Sequence, residues 1–248
     1  MFARILAFTF LFISATCATG LPMRPAPLFA GVAGPLIIAD SSGNLEVSEN
    51  TLAAISHGAI VGADWIKIDV ALTTDENVVV INDSAIERTY NDQHEPAFAE
   101  VLALNDARLL IELKPFFKTE VLIEKVVREL HRARALDRVM MSSTDIPLLD
   151  RITMREPSLL LAGIAANKTE IENLILLPIS VILVPLELIE TAHTIVPPQL
   201  GIWGYTADTV ETATKAIEQG AHGVITNIPE AVVKTLRSPP PIVIPLSK

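Results

Sequence analysis

Cysteine is almost missing: the 248 residues hold one, Cys17. A disulfide-built fold is therefore excluded, and Cys17 falls in a segment read below as a removable leader, which excludes thiol catalysis as well. Basic residues are also few, 19 Lys and Arg against 29 Asp and Glu, for a formal charge of −10. Binding nucleic acid requires clustered cations to neutralise phosphates, so the balance argues against a nucleic-acid partner. The acidity is spread along the chain and reads as a solubilised surface. No run after residue 20 could span a membrane, and no period marks a repeat protein. What is plentiful is apolar residues, 50% of the chain. They suffice for one large core, in a single α/β barrel or two smaller domains.

Residues 1–20 stand apart from the fold. Arg4, the apolar run Ile5 to Ile13 and the small residues Ser14 to Gly20 have the layout of a secretory signal cut after Ala18 or Gly20. A lipoprotein anchored at Cys17 is the rival reading. Export, to a secreted or periplasmic location, is the expectation. Residues 21–34, with Pro22, Pro25, Pro27 and Gly34, read as an extended lead-in, residues 35–237 as the folded domain, and residues 238–248 as a proline-rich tail.

Within 35–237 strands and helices alternate. Pro35 to Ala39 reads as a buried strand ending at Asp40, and a helix capped by Ser48 or Asn50 runs to Gly62 with Leu52, Ile55, Ala59 and Ile60 inward. Trp65 to Val70 alternates as a strand does, and a hairpin excursion returns through Val78 to Asn82. A short helix, Phe98 to Leu104, precedes strands at Leu109–Leu113, Val139–Ser143, Leu159–Ile164, Val181–Pro185, Gly201–Tyr205 and Gly223–Thr226, with helices between them. Without the hairpin there are eight continuous hydrophobic strands, as in a parallel sheet covered on both faces. Eight β/α units in this length predict a TIM (β/α)8 barrel with a small hairpin excursion after the second strand.

In such a barrel chemistry sits at the C-terminal ends of the strands. These ends bring together Asp40, Lys67, Asp69, Glu112, Lys114, Ser142, Ser143, Tyr205, Thr226 and Asn227. Lys67 and Asp69, two apart on a strand, project to the same side. Two acids facing two lysines suit an anion or a cation, and the alternative is an ion-pair network that closes the barrel top.

In register, these segments resemble the glycerophosphodiester phosphodiesterases, TIM barrels that hydrolyse glycerophosphodiesters with a divalent metal and two histidines. The likeness rests on Glu49-Asn50-Thr51-Leu52, Gly62-Ala63-Asp64-Trp65-Ile66, Leu72-Thr73, Ile111-Glu112-Leu113-Lys114, Tyr205-Thr206-Ala207-Asp208 and Gly223-Val224-Ile225-Thr226-Asn227-Ile228-Pro229. It covers Ile37 to about Val233. At unchanged spacing, Asp40 and Ser41 stand where the resemblance implies His-Arg, and Lys67 where it implies the first acid of a Glu-x-Asp metal pair. Asn82 stands for the second histidine, with Asp83 kept. Asp69 and Glu112 survive from the implied metal site and Lys114 from its phosphate-facing side.

Hydrolysis of a phosphodiester needs a base or nucleophile and an acid for the leaving alkoxide, and Asn82 cannot titrate. An ammonium at a ligand position opposes a divalent cation. His57, His131 and His193 fall on helices, His222 lies before a strand, and His94 is the one histidine in a loop after the hairpin. Three readings follow. One is a pseudoenzyme with no catalytic residue and no metal, binding a small phosphorylated or polar ligand through Asp40, Glu49, Lys67, Asp69, Asn82, Glu112, Lys114 and Tyr205. Another is a divergent hydrolase of glycerophosphodiesters, acting in lipid metabolism, in which Lys67 supplies the metal's charge. The third is an ordinary phosphodiesterase in which another residue replaces the histidines. Asn82 and Asn167 also lie in glycosylation sequons.

Overall fold

The structure, a computed structural model, describes residues 34–40, 50–81, 96–104, 107–115 and 118–237. Nine strands form one sheet: β1 (Leu36–Asp40), β2 (Trp65–Leu72), β3 (Val78–Ile81), β4 (Leu109–Leu113), β5 (Val139–Ser143), β6 (Leu160–Ile164), β7 (Val181–Pro185), β8 (Gly201–Tyr205) and β9 (Gly223–Thr226). All but β3 are parallel in the order β1-β9-β8-β7-β6-β5-β4-β2, and β2 pairs back onto β1 to close the ring. This is the TIM barrel read from the sequence. Strand β2 outruns the ring: β1 pairs with Trp65 to Lys67, while β3 runs antiparallel along Asp69 to Leu72. The hairpin therefore stands above the rim on the side of the mouth.

Among the described residues eight helices surround the ring: α1 (Leu52–Ile60), α2 (Phe98–Leu102), α3 (Thr119–Ala133), α4 (Ile146–Arg155), α5 (Lys168–Leu174), α6 (Ile189–Ile195), α7 (Val210–Glu218) and α8 (Pro229–Leu236). Strand alternation divides the apolar side chains into two cores. Ile37, Ile66, Ile68, Leu109, Ile111 and their equivalents face the helices. Leu36, Ile38, Trp65, Leu110, Met140 and Leu183 fill the inside of the ring, where Trp65 and Trp203 meet at 6.0 Å between ring centroids. The lower barrel is thus a packed plug, and the guanidinium of Arg108 lies 5.8 Å from the Trp65 ring.

The structure corrects two details of the first helix. Its cap is Thr51, whose Oγ1 accepts from the amide of Ala54 at 3.2 Å, and not Ser48 or Asn50. Asn50 has φ of 53°, outside the extended conformation a cap adopts. Ile60, expected inward, is 82% exposed. The helix ends at Ile60, two residues short of the expected Gly62, and Gly58 lies against the strands instead. A Cβ there would come within 2.7 Å of Ile66 Cδ1 and 3.1 Å of Ala39 Cβ, so the absent side chain sets how closely α1 approaches the barrel.

Candidate functional site

Inward parity carries the site. On β1, β2 and β4 the residues above the apolar plug are Asp40, Lys67 with Asp69, and Glu112. Register puts Asp40 beside Lys67, and Asp69 beside Glu112 one layer higher. Lys114, just past β4, continues the inward set, and its amide is held by the carbonyl of Val70 at 2.9 Å. The lysine of the lower layer reaches up into the acids. Its Nζ lies 3.2 Å from Asp69 Oδ1, 3.5 Å from Glu112 Oε2 and 3.8 Å from Asp40 Oδ1. Lys114 Nζ donates to Glu112 Oε1 at 2.6 Å and lies 3.7 Å from Asp69 Oδ1.

Both ammoniums are mostly buried, and burial alone would favour losing the proton. At Lys67 the fields of Asp40, Asp69 and Glu112 outweigh that, and its pKa is raised above the ordinary lysine value. Lys114 is raised in the same way by Asp69 and Glu112 against burial, with Lys67 opposing. Both stay charged at neutral pH. Three carboxylates and two ammoniums then share the mouth, and each acid already has a cation.

Above this network lies a cavity of about 270 Å³, bounded by Asp40, Lys67, Glu112, Tyr205 and Thr206 with Ile164, Leu183 and Ile225 as apolar wall. The Tyr205 hydroxyl donates to the Ala165 carbonyl at 3.3 Å. Its pKa is raised by burial and then by Glu112, Glu170 and Glu187. Glu170 and Glu187 escape the sequence reading. Their only signal is position, just past β6 and β7. A larger cavity, about 390 Å³, lies outside the ring between α1 and α8 and has Asp40 alone in common with the mouth.

The structure thus brings together Asp40, Lys67, Asp69, Glu112, Lys114 and Tyr205. Glu49, Asn82, Ser41 and His94 lie outside the described residues. Ser142 and Thr226 turn their hydroxyls to backbone carbonyls, of Ile111 at 3.3 Å and Ala207 at 2.6 Å, and Ser143 Oγ accepts the amide of Asp145 at 3.0 Å. Asn227 donates to Asp208 at 2.9 Å. These four support loops and strand ends. Asp40, Asp69 and Glu112 converge as donors to a divalent cation would, but the ammonium of Lys67 lies among them. Among the described residues, the set at the mouth, with an ammonium between its acids, does not have the all-oxygen lining that a divalent cation takes.

Residues 40–156 match the glycerophosphoryl diester phosphodiesterase family. Over those residues, just under half of its length, the chain is similar to that family. A glycerophosphodiester phosphodiesterase of Caldanaerobacter subterraneus is 43% identical over 58 residues, 23% of this chain and 24% of that protein. The uncharacterised YqiK of Bacillus subtilis is 30% identical over 138 residues, 43% and 57% of the two chains. The matches thus span between a quarter and somewhat over half of these relatives. Among solved structures, an Oleispira antarctica phosphodiesterase in complex with the product sn-glycerol-3-phosphate superposes with a TM-score of 0.73 at 20% identity, over 83% of this chain and 98% of that one. A glycerophosphodiester phosphodiesterase from Parabacteroides distasonis gives 0.70 at 16% identity, over 83% and 98%. At that identity the superpositions speak for the fold.

Proposed function

We propose that this barrel has exchanged a divalent metal for a tethered ammonium, and that its mouth binds a small polar or phosphorylated ligand without hydrolysing it. The observation that carries the reading is Lys67 Nζ within 3.2–3.8 Å of all three inward carboxylates. A divalent cation entering there would face an ammonium fixed at contact distance, with a repulsion that no carboxylate remains free to offset. The sequence supports the loss of turnover independently. Asp40 is a carboxylate that repels an anionic phosphate, and Asn82 has no proton to give at neutral pH. What remains suits binding: two ammoniums, a phenol and carboxylates that accept from hydroxyl groups, over an apolar floor. The sn-glycerol-3-phosphate held by the Oleispira neighbour belongs to the ligand class such a set would take.

The test is an assay of the purified protein with glycerophosphocholine and glycerophosphoethanolamine, with calcium, magnesium or chelator. No turnover is expected. Metal-dependent hydrolysis at ordinary enzyme rates, on the order of 1 s⁻¹ or faster, would sink the reading. Turnover that ignores chelator and vanishes in Lys67→Ala would replace it by a metal-free hydrolase. Calorimetric titration with sn-glycerol-3-phosphate and with glycerol checks the binding half, with heat expected from at least one. We also infer export, on the Arg4 and apolar-run layout of residues 1–20. N-terminal sequencing of the exported protein should begin near Pro22.

A further inference from the structure

Six of the eleven arginines of this acidic chain lie between Arg128 and Arg155. They sit on α3, α4 and the connection between them. Helices of a barrel run back from the mouth, so their C-terminal ends lie at the opposite, lower face. Along the outer side of α3, Glu120 and Glu124 give way to Arg128, His131 and Arg132, with Arg134 at the end of the helix. On α4, Arg151, Met154 and Arg155 occupy the last turns. Most of the acids nearby are answered or muted, and Asp150, exposed on α4, is the one that remains among the described residues. Glu120 is met by Arg151 at 3.2 Å, Glu124 by Arg128 at 3.7 Å and Glu156 by His131 at 2.7 Å. Asp137 acts on Arg138, and burial pushes the carboxyl of Glu129 up. Arg132, Arg134 and Arg155 form no salt bridge with another described residue. Between the helices runs an open groove of about 380 Å³, bounded by Glu124, Val127, Arg128, His131 and Arg155.

One or two cations at a helix C-terminus answer its dipole and need no further account. Apolar side chains beside them do. Met154 on α4 is 77% exposed, and Leu176, in the turn after α5, is 73% exposed. Both lie at the same end of the barrel as the arginines. An arginine-rich surface with long apolar side chains projecting from it matches an interface of phosphates over hydrocarbon.

We propose that this lower face docks on an anionic lipid bilayer, with Arg132, Arg134 and Arg155 at the headgroup phosphates and Met154 and Leu176 dipping below them. Charge complementarity is local. Screening at physiological salt confines each charge to about 8 Å, so the acids elsewhere on the chain do not cancel the patch. The mouth, on the opposite face, is then left open to solution. The docking is peripheral, in keeping with the absence among the described residues of any helix long and apolar enough to cross a membrane.

The test is co-sedimentation of the full chain with vesicles of phosphatidylcholine, alone or mixed with phosphatidylglycerol. Binding is expected to need phosphatidylglycerol and to weaken as salt is raised. Arg132→Glu with Arg155→Glu should lower the partition at least about tenfold, whereas the two Lys substitutions should largely keep it. Met154→Ser with Leu176→Ser should lower it about fivefold at fixed salt. Thermal melting of each variant confirms that it is folded. Sedimentation that ignores phosphatidylglycerol, or that both double variants leave unchanged, would assign any retention to the apolar run of residues 5–13 and overturn the proposal. Heparin binding that falls with the arginines, while vesicle binding is absent, would overturn it in favour of a soluble acidic partner.

Discussion

Lys67 is the residue on which the mouth depends. Remove it and three inward carboxylates face one another in a partly buried space with only Lys114 between two of them. Lys67→Ala should therefore cost about 3 kcal/mol, read as a lower midpoint in denaturant. Lys67→Glu should be unstable without metal but recover with calcium, its Tm rising by roughly 5–10 °C at calcium well above its Kd, while the parent shows no rise. A parent Tm that climbs with calcium would contradict the tethered-cation account. The pH dependence has a definite sign. A folded-state pKa raised above the unfolded lysine value gives stability that is fully present below that value and lost only as pH rises through the folded one. The Lys67 contribution should thus hold through neutrality and fail only in strong alkali. Much of this was legible in the sequence, because a period of two puts Lys67 and Asp69 on one side whatever else the strand does. The part played by Asp40 was less so. Its 3.8 Å approach to Lys67 depends on β1 and β2 pairing across the closure of the ring, a contact that no local pattern encodes.

Among the elements, the parallel strands were the most readable. Val181–Pro185 is a continuous apolar run, and Leu109–Leu113 and Val139–Ser143 are apolar but for Glu112 and for Ser142 and Ser143 near their mouth ends, so such strands are buried on both faces. Helix α1 was harder. Its composition is apolar nearly all round, so sequence does not separate the inner stripe from the outer, and it is Gly58 rather than Ile60 that turns inward. Gly58→Ala offers a test with two opposed effects. Alanine favours the helix by about 1 kcal/mol, while the crowding against Ile66 and Ala39 costs about 1–3 kcal/mol. A net loss is expected, and Ile66→Val in the same chain should relieve it. Strands β8 and β9 are joined at their lower ends by His222, whose Nδ1 accepts the amide of Ile202 at 3.0 Å. Burial and the nearby His193 lower its pKa from 6.5. The unfolded chain then binds the proton more readily, so the stability this residue supports is present above pH 6.5 and lost as pH falls through the lower folded value. Denaturant midpoints measured from pH 7 downward should fall less steeply in His222→Gln than in the parent.

At the scale of the whole molecule, the ring is fastened where its first and last elements meet. Asp64 Oδ2 accepts the amide of Ile37 at 2.8 Å and also meets Arg237, whose Nη1 reaches the carbonyl of Gly62 at 2.7 Å. The two partners should not be equivalent. Asp64→Ala leaves the amide of buried Ile37 without its acceptor and should cost about 2 kcal/mol, while Arg237→Ala removes a more exposed group and should cost about 1 kcal/mol. Equal losses would mean that the amide finds another acceptor.

This fastening has a consequence for how the chain can be cut. Pro35 enters the barrel and Arg237 leaves it at the same lower face, with β1 and β9 as neighbours, so the closed sheet has no true beginning. A linker spliced between these two points, with new ends opened in a loop elsewhere, would leave every strand pairing in place. The starting point of translation then becomes a free choice, and circularly permuted versions of residues 34–237 should fold to the same barrel.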